Sequence, residues 1–271
     1  MGAQRRLRLR RGVGRSLSSV AERLRAAGCV FAEDEAALII DAAASPVELE
    51  SMVGRRVSGM PLEQVLGWAA FRGLRIVVEP GVFVPRRRTE LLVAEAVRLL
   101  GRVAEPVVVD LCCGTGAVAA AVADALGHAE VHASDVDPRA VACARRNLDG
   151  IGTVHEGDLT DALPEHLIGR VGVLVVNAPY VPSDEIAMMP SEARDHEPRV
   201  ALDGGADGAD IHRRIAEQAP QWLRPGGHLV IETSRRQAPL TVEAMVRNGF
   251  DPRVVRSDDL DATAVVGRKM G

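Results

Sequence analysis

Aromatic side chains are scarce: among 271 residues there are four phenylalanines, two tryptophans and a single tyrosine, Tyr180. A protein that binds single-stranded nucleic acid by base stacking needs several aromatics spaced along basic segments, so that class is disfavoured. Long apolar runs are missing too, since no stretch approaches the roughly 20 consecutive apolar residues that span a bilayer. The sequence therefore predicts no membrane association, and a core built mainly from valine, leucine, alanine and isoleucine.

Cysteines are few, and their spacing matches neither a metal site nor a redox pair. They are Cys29, Cys112, Cys113 and Cys143, with no Cys-x-x-Cys, a pattern typical of reduced thiols in a cytoplasmic protein. Two histidines, His128 and His132, are four residues apart, but they flank a predicted turn-to-strand junction and do not share a helix. The sequence therefore predicts a cytoplasmic protein without a bound metal.

Acidic residues are missing from the start of the chain, where six arginines fall within the first 16 residues. The formal net charge is nevertheless −4, so the remainder is acidic, and an acidic body disfavours binding to a nucleic-acid backbone. The arginine-rich start also lacks the apolar stretch of a signal peptide. We interpret residues 1–15 as a basic, disordered extension.

The first third of the chain is predicted to be mostly helical. Apolar residues recur at three- and four-residue spacing up to about Leu66, which predicts a small helical domain over residues 16–68. Two strand-like segments, 71–78 and 82–84, flank a Glu-Pro-Gly turn and predict a hairpin connector over residues 69–88. The arginines at 86–88 are interpreted as a solvated face. Thr89 is expected to cap a helix running to about Leu100.

Strands and helices alternate over the remainder, which we assign to one catalytic domain spanning residues 89–271. Apolar runs at Val107–Leu111 and Val171–Val176 are typical of strands covered on both faces. The alternation predicts an α/β fold with a doubly wound, mostly parallel sheet. Two strand candidates near the C-terminus, Pro252–Arg256 and Ala262–Val266, have no helix between them and predict an antiparallel hairpin at one edge.

A strand that ends in an acid and continues into a Gly-x-Gly turn is the strongest local motif. Asp110 lies near the end of its strand, and Gly114-Thr115-Gly116 follows. Ligands of open α/β sheets bind at the carboxyl ends of the strands, so a nucleotide-like ligand is expected here. A second acid, Asp135, ends the next strand and is placed to accept both hydroxyls of a ribose. The short turn and the phosphate-repelling Asp110 favour S-adenosylmethionine over a dinucleotide.

The sequence resembles the class I S-adenosylmethionine-dependent methyltransferases, and among them the HemK/PrmC family of protein-(glutamine-N5) methyltransferases. The resemblance extends from about Ser16 and rests on the motifs at 83–90, 110–116, 177–180 and 196–205. It implies donor-binding roles for Asp110, Gly114, Gly116, Asp135, Asp158 and Leu159, and we also assign Cys112, Thr115, Val136 and Asn177 to the donor site. It implies methyl-acceptor roles for Asn177, Ala178, Pro179 and Tyr180.

The acceptor tetrapeptide suits an amide substrate. The side-chain oxygen of Asn177 and the backbone carbonyl of Ala178 can accept the two hydrogens of a carboxamide nitrogen, and Tyr180 can cover the planar group with its ring. Because these groups fit a carboxamide, we expect methylation of a protein glutamine. The family's tetrapeptide is usually Asn-Pro-Pro-Tyr, whereas alanine stands second here.

Two other functions stay open at this point. The first is methylation of a small planar heteroaromatic, such as the indole C3 of a tryptophan-derived diketopiperazine, because losing the proline removes one backbone restraint from the pocket. The second is donor binding without catalysis.

Overall fold

The computed structural model describes residues 17–270. The predicted disordered extension, residues 1–15, lies outside the described residues. No helix within 17–270 is long and apolar enough to cross a membrane. The division into domains at 68 and 88 stays a prediction.

The N-terminal part is a small cluster of helices: α1 (residues 17–26), α2 (Ala32–Ala42), α3 (Pro46–Val57) and α4 (Leu62–Leu66). Ser45 begins α3, because its hydroxyl accepts a hydrogen bond from the Glu48 N–H and Pro46 occupies the first helical position. The apolar spacing seen in the sequence buries Leu24, Ile39 and Val53 completely. These helices therefore have a core of their own.

The connector contains a hairpin, but not the predicted one. Strand β1 (Trp68–Phe71) pairs antiparallel with β2 (Leu74–Val77), and the turn is Arg72-Gly73. Both turn residues have positive φ, +47° and +82°, the two-residue geometry that matches strand twist. The predicted hairpin about the Glu-Pro-Gly turn at 79–81 is wrong, because the residues at 82–84 do not form a strand.

Seven strands form the main sheet in the order β5-β4-β3-β6-β7-β9-β8. The first five in chain order are parallel, and β9 runs antiparallel between β7 and the edge strand β8. The strands are β3 (Val107–Leu111), β4 (Glu130–Asp135), β5 (Thr153–Glu156), β6 (Val171–Val176), β7 (Leu223–Thr233), β8 (Phe250–Ser257) and β9 (Ala262–Lys269). The predicted mostly parallel sheet with an antiparallel C-terminal hairpin is confirmed.

Helices cover both faces of this sheet. They are α5 (Glu90–Leu100), α6 (Ala117–Leu126), α7 (Pro138–Asn147), α9 (Asp210–Trp222) and α10 (Ala238–Arg247), whereas the short α8 (Ser191–His196) follows β6 in the chain and lies beside the crevice of the sheet. Helices α5, α6 and α7 pack on one face, where Val108 and Val173 point, and α9 and α10 pack on the other, where Val109 and Leu174 point. Because both faces are buried, the central strands can be continuously apolar.

The chain reverses its direction across the sheet beside β3. It moves from β3 to β4 and β5 on one side, and then returns to β6 on the other side of β3. In such sheets the crevice outside the carboxyl ends of the two strands at the reversal is the usual ligand site. Asp110 on β3 and Asn177 after β6 lie at that crevice.

The two glycines that bound α6 differ in their surroundings. At Gly116 (φ +74°) a Cβ atom would lie 3.2 Å from the Ala144 Cβ and 3.3 Å from the Leu148 Cδ1. At Gly127 (φ +67°) a Cβ atom would meet nothing within 4 Å. The start of α6 is therefore packed closely against the end of α7, whereas its C-terminal end is open.

We expect Gly116→Ala to destabilise the protein more than Gly127→Ala. Both substitutions impose a left-handed backbone on alanine, which costs about 1 kcal/mol, and only Gly116→Ala adds a clash, for a total of roughly 2–3 kcal/mol. Denaturant unfolding of the two variants measures the difference. Equal losses of unfolding free energy would contradict the close packing.

Candidate functional site

A cavity of about 360 Å³ lies at the reversal point of the sheet. Every site residue predicted from the sequence lines it except Gly116. The glycine turn, the strand-end acids and the Asn-Ala-Pro-Tyr tetrapeptide therefore share one chamber.

The glycine turn after β3 has a left-handed backbone at two of its lining residues, Cys112 (φ +56°) and Gly114 (φ +54°). A Cβ atom at Gly114 would have only the Phe83 Cβ within 4 Å, at 4.0 Å, so the main chain is open to a ligand there. Gly116 instead faces α7. The two glycines of the motif thus serve different purposes, access at Gly114 and helix packing at Gly116.

Asp135 joins the glycine turn to the end of β4. Its Oδ2 accepts a hydrogen bond from the Gly114 N–H (2.8 Å) and its Oδ1 accepts one from the Asp137 N–H (3.0 Å). Burial raises the pKa of Asp135, and these hydrogen bonds oppose the rise. Both oxygens are thereby held in fixed positions at the cavity wall.

Asp110 is buried at the end of β3, with only 2% of its surface exposed. Its Oδ2 accepts a hydrogen bond from the Ala119 N–H (3.0 Å) at the start of α6. Burial, together with the nearby charge of Asp135, raises the pKa of Asp110 to about 7 despite that hydrogen bond. A cationic group in the cavity would favour the ionised carboxylate.

Asp158 and Leu159 follow β5 and bring an arginine into the site. The half-exposed carboxylate of Asp158 pairs with the Arg214 guanidinium of α9 at 2.6 Å. Leu159 is buried and has a left-handed backbone, φ +52°. Sequence reasoning did not identify Arg214, which lies 56 residues away and has no motif of its own.

Asn177 follows β6 and is held by a residue that we assigned another role. Its Nδ2 donates a hydrogen bond to the Thr89 hydroxyl at 3.3 Å. The predicted capping of α5 by Thr89 is wrong, because Thr89 already has a helical backbone and its side chain makes no capping hydrogen bond. Thr89 instead supports the Asn177 side chain at the cavity wall.

The tyrosine hydroxyl is anchored by Glu232, which the sequence did not reveal, and by Arg88, which we interpreted as solvated. Tyr180 donates a hydrogen bond to the Glu232 Oε1 (3.3 Å), and the same oxygen accepts one from the Arg88 Nε (3.2 Å). The Arg88 Cζ lies 5.9 Å from the centre of the Tyr180 ring. Burial raises the pKa of Tyr180, assisted by the Glu232 charge, so the phenol stays neutral.

The neighbouring Arg86 holds the cover segment, residues 189–202, several of which line the cavity. It pairs with Glu197, whose side chain is fully buried, and the Val84 N–H donates to the same carboxylate oxygen at 3.3 Å. The interpretation of the arginines at 86–88 as a solvated face is therefore wrong for Arg86 and Arg88, which neutralise buried glutamates. Their partners, Glu197 and Glu232, lie 111 and 144 residues further along the chain, and a single sequence gives no sign of that pairing.

Comparison with known proteins identifies relatives of this chain. The family model "Methyltransferase small domain" matches residues 73–190. The chain is 38% identical over 233 residues to the release factor glutamine methyltransferase of Geobacter sulfurreducens, covering 84% of this chain and 80% of that protein. It is 42% identical over 190 residues to the release factor glutamine methyltransferase of Streptomyces coelicolor, covering 69% of this chain and 67% of that protein.

Solved structures share the fold. A methyltransferase from Pyrococcus furiosus superposes with a TM-score of 0.53 at 18% sequence identity, covering 74% of this chain and 91% of that one. At this identity the match supports the architecture described above and nothing more specific.

The raised pKa of Asp110 predicts a pH-dependent stability. The folded protein holds the Asp110 proton up to about pH 7, whereas the unfolded chain releases it near pH 4. Its contribution to stability is therefore greatest in acid and is lost as the pH rises through this window. Relative to Asp110→Asn, the wild-type protein should lose roughly 2 kcal/mol of unfolding free energy between pH 5 and pH 7.

Denaturant unfolding of both ligand-free proteins at several pH values measures that difference. The asparagine oxygen can still accept the Ala119 N–H, so the comparison isolates the ionisable proton. Parallel profiles for the two proteins would show that Asp110 titrates as an ordinary carboxylate.

Proposed function

This chain belongs to the family of the release factor glutamine methyltransferases, and we propose that it methylates the side-chain amide nitrogen of a glutamine in a release factor. Membership of the family makes it an S-adenosylmethionine-dependent methyltransferase, and the predicted enzyme class and cofactor are confirmed. Nothing in the comparisons supports the small heteroaromatic acceptor. A cytoplasmic location stays a prediction.

The cavity suits S-adenosylmethionine. Asp110, a buried carboxylate with a raised pKa, has no countercharge among residues 17–270, and the ammonium group of the methionine moiety would supply one. The fixed oxygens of Asp135 can each accept a ribose hydroxyl. Val136 and Leu159 offer an apolar surface for the adenine, next to Asp158.

The acceptor groups lie in the same cavity as these acids, and this single observation carries the proposal. When bound, S-adenosylmethionine supplies a methyl group attached to a positively charged sulfur. The chain itself must hold a weakly nucleophilic amide nitrogen in the correct orientation. The Asn177 side-chain oxygen and the Ala178 carbonyl can accept its two hydrogens, and orientation of this kind contributes most of what such a transfer needs.

The alanine in place of the first proline of the family's tetrapeptide is compatible with this function. Ala178 is 2% exposed and packs in the core beneath the cavity with Val176 and Leu111. Packing therefore restrains the main chain at this position, where the proline ring does so in the usual motif. Tyr180 is held over the site by Glu232 and Arg88, and its ring can cover a planar amide.

The N-terminal helices supply a surface that a protein substrate can contact. Arg56 of α3 pairs with Glu35 of α2 at 2.6 Å and also with Glu192 of α8, in the segment that follows the acceptor tetrapeptide. Val30 and Phe31, in the turn that joins α1 to α2, are 84% and 68% exposed. A protein docked there would be connected to the mouth of the cavity through the Arg56 ion pairs.

Substitutions in the two halves of the site should separate binding from transfer. Asn177→Ala should abolish turnover while changing donor affinity little, because it removes the proposed amide acceptor. Asp135→Ala should weaken donor affinity by about tenfold or more, since it removes two charge-assisted hydrogen bonds. Calorimetry with S-adenosylmethionine and an activity assay distinguish the two. Wild-type activity in Asn177→Ala would refute the acceptor role.

The protein acceptor is tested with purified release factor and radiolabelled donor. We expect label in the release factor, located by mass spectrometry on the amide of one glutamine and removed when that glutamine is replaced by alanine. The Asn177→Ala enzyme is the control for non-enzymatic labelling. The same incubation is repeated with a cell extract in place of the purified release factor. Label that appears only in small molecules of that extract, and never in the release factor, would refute the proposal.

A further inference from the structure

Three histidines and a glutamate that no motif linked meet on one face of the sheet, away from the cavity. Glu130 and His132 alternate along β4, and His155 lies on β5 with its side chain on the same face, since it is the register partner of Ser134. His166 belongs to the segment between β5 and β6, which passes over them. The tertiary structure thus assembles a cluster from residues that are up to 36 positions apart.

The atoms of this cluster are close enough to share one ion. The His132 Nε2 lies 3.1 Å from the Glu130 Oε1, and the His166 Nε2 lies 3.8 Å from the same oxygen. One ligand atom from each of the three residues lies within 4.8 Å of the other two. Tetrahedral zinc with bonds of about 2.1 Å needs ligand atoms about 3.4 Å apart, so modest side-chain rotations would complete the site.

Two further residues orient these groups. The His155 Nε2 lies 3.0 Å from the His132 Nδ1, and Arg170 donates to the Glu130 Oε2 at 2.9 Å. The arginine occupies the carboxylate oxygen that faces away from the histidines and leaves Oε1 directed at them. Partners of this kind, hydrogen-bonded to the ligands, are what hold metal-binding side chains in place.

We propose that Glu130, His132 and His166 form a binding site for a divalent transition metal of the zinc type, with His155 supporting His132. Imidazole nitrogens with one carboxylate favour Zn²⁺ over Mg²⁺ or Ca²⁺, which prefer oxygen ligands throughout. The site is open to solvent, because the side chains of His166 and Glu130 are 59% and 39% exposed. Three protein ligands leave a fourth position for water.

The proton balance of metal binding follows from the same contacts. Without a metal, the 3.1 Å contact between the His132 Nε2 and the Glu130 Oε1 requires a hydrogen on Nε2. With that hydrogen on Nε2, a neutral His132 accepts a hydrogen bond at Nδ1 from the His155 Nε2–H. When the metal takes the place of the Nε2 hydrogen, the His132 proton shifts to Nδ1 and donates to the His155 Nε2, and His155 carries its own proton on Nδ1. Both shifts pass through solvent, and no net proton is released from two neutral rings.

Titration of the full-length protein with zinc chloride, followed by calorimetry, tests the site. We expect one Zn²⁺ per chain, and at least tenfold weaker binding in His166→Ala and in Glu130→Gln. His166 is largely exposed, so its removal should leave the fold intact, which unchanged S-adenosylmethionine affinity would verify. The matched control is His128→Ala, an exposed histidine outside the cluster, which should bind Zn²⁺ as the wild type does.

Absorption spectra with Co²⁺ in place of Zn²⁺ identify the ligand atoms. Nitrogen and oxygen ligation without a thiolate charge-transfer band supports the site. A thiolate band would place the metal at the cysteines, and absence of stoichiometric binding, or equal affinity in His166→Ala and the wild type, would overturn the proposal.

Discussion

The reversal of strand order beside β3 is the constraint on which the site depends. Because β4 and β6 lie on opposite sides of β3 and run parallel to it, the ends of three strands open onto one crevice. Asp110, Asp135 and Asn177 come from those three ends. A methyl donor and a methyl acceptor can therefore meet there, although the residues that we propose to hold them lie far apart in the sequence.

This arrangement buries the charges of two glutamates, which is unfavourable, and two arginines from one short segment offset part of that free energy. Glu197 and Glu232 have almost no exposed side-chain surface and each pairs with one arginine, Arg86 or Arg88. Breaking such a buried pair is strongly destabilising, because it leaves a charge without a partner. The same pairs hold the cover segment and Tyr180 at the cavity, so stability and site geometry depend on the same contacts.

Local sequence patterns predicted the structure correctly where backbone preference and burial favour the same element. The apolar runs, the acid before the glycine turn and the absence of a helix between the last two strands led to the correct sheet. Predictions went wrong where strand pairing or a partner far along the chain decides the outcome. The hairpin formed at Arg72-Gly73 and not at the proline-glycine turn, because β1 finds its register partner in β2. Thr89 supports Asn177, and this contact exists only because β6 places Asn177 beside Thr89.

The sequence by itself determined the fold class, the glycine-turn motif and, through its resemblance to a known family, the class of reaction. The first two follow from periodicity and from residue types at short spacing, which a linear chain displays directly. Only the tertiary structure decided that Gly116 packs against α7 and that Arg88 and Glu232 anchor Tyr180. It also decided that His132 meets His166. Each of these depends on contacts between residues distant in the chain, and such contacts exist only once the core has brought the segments together.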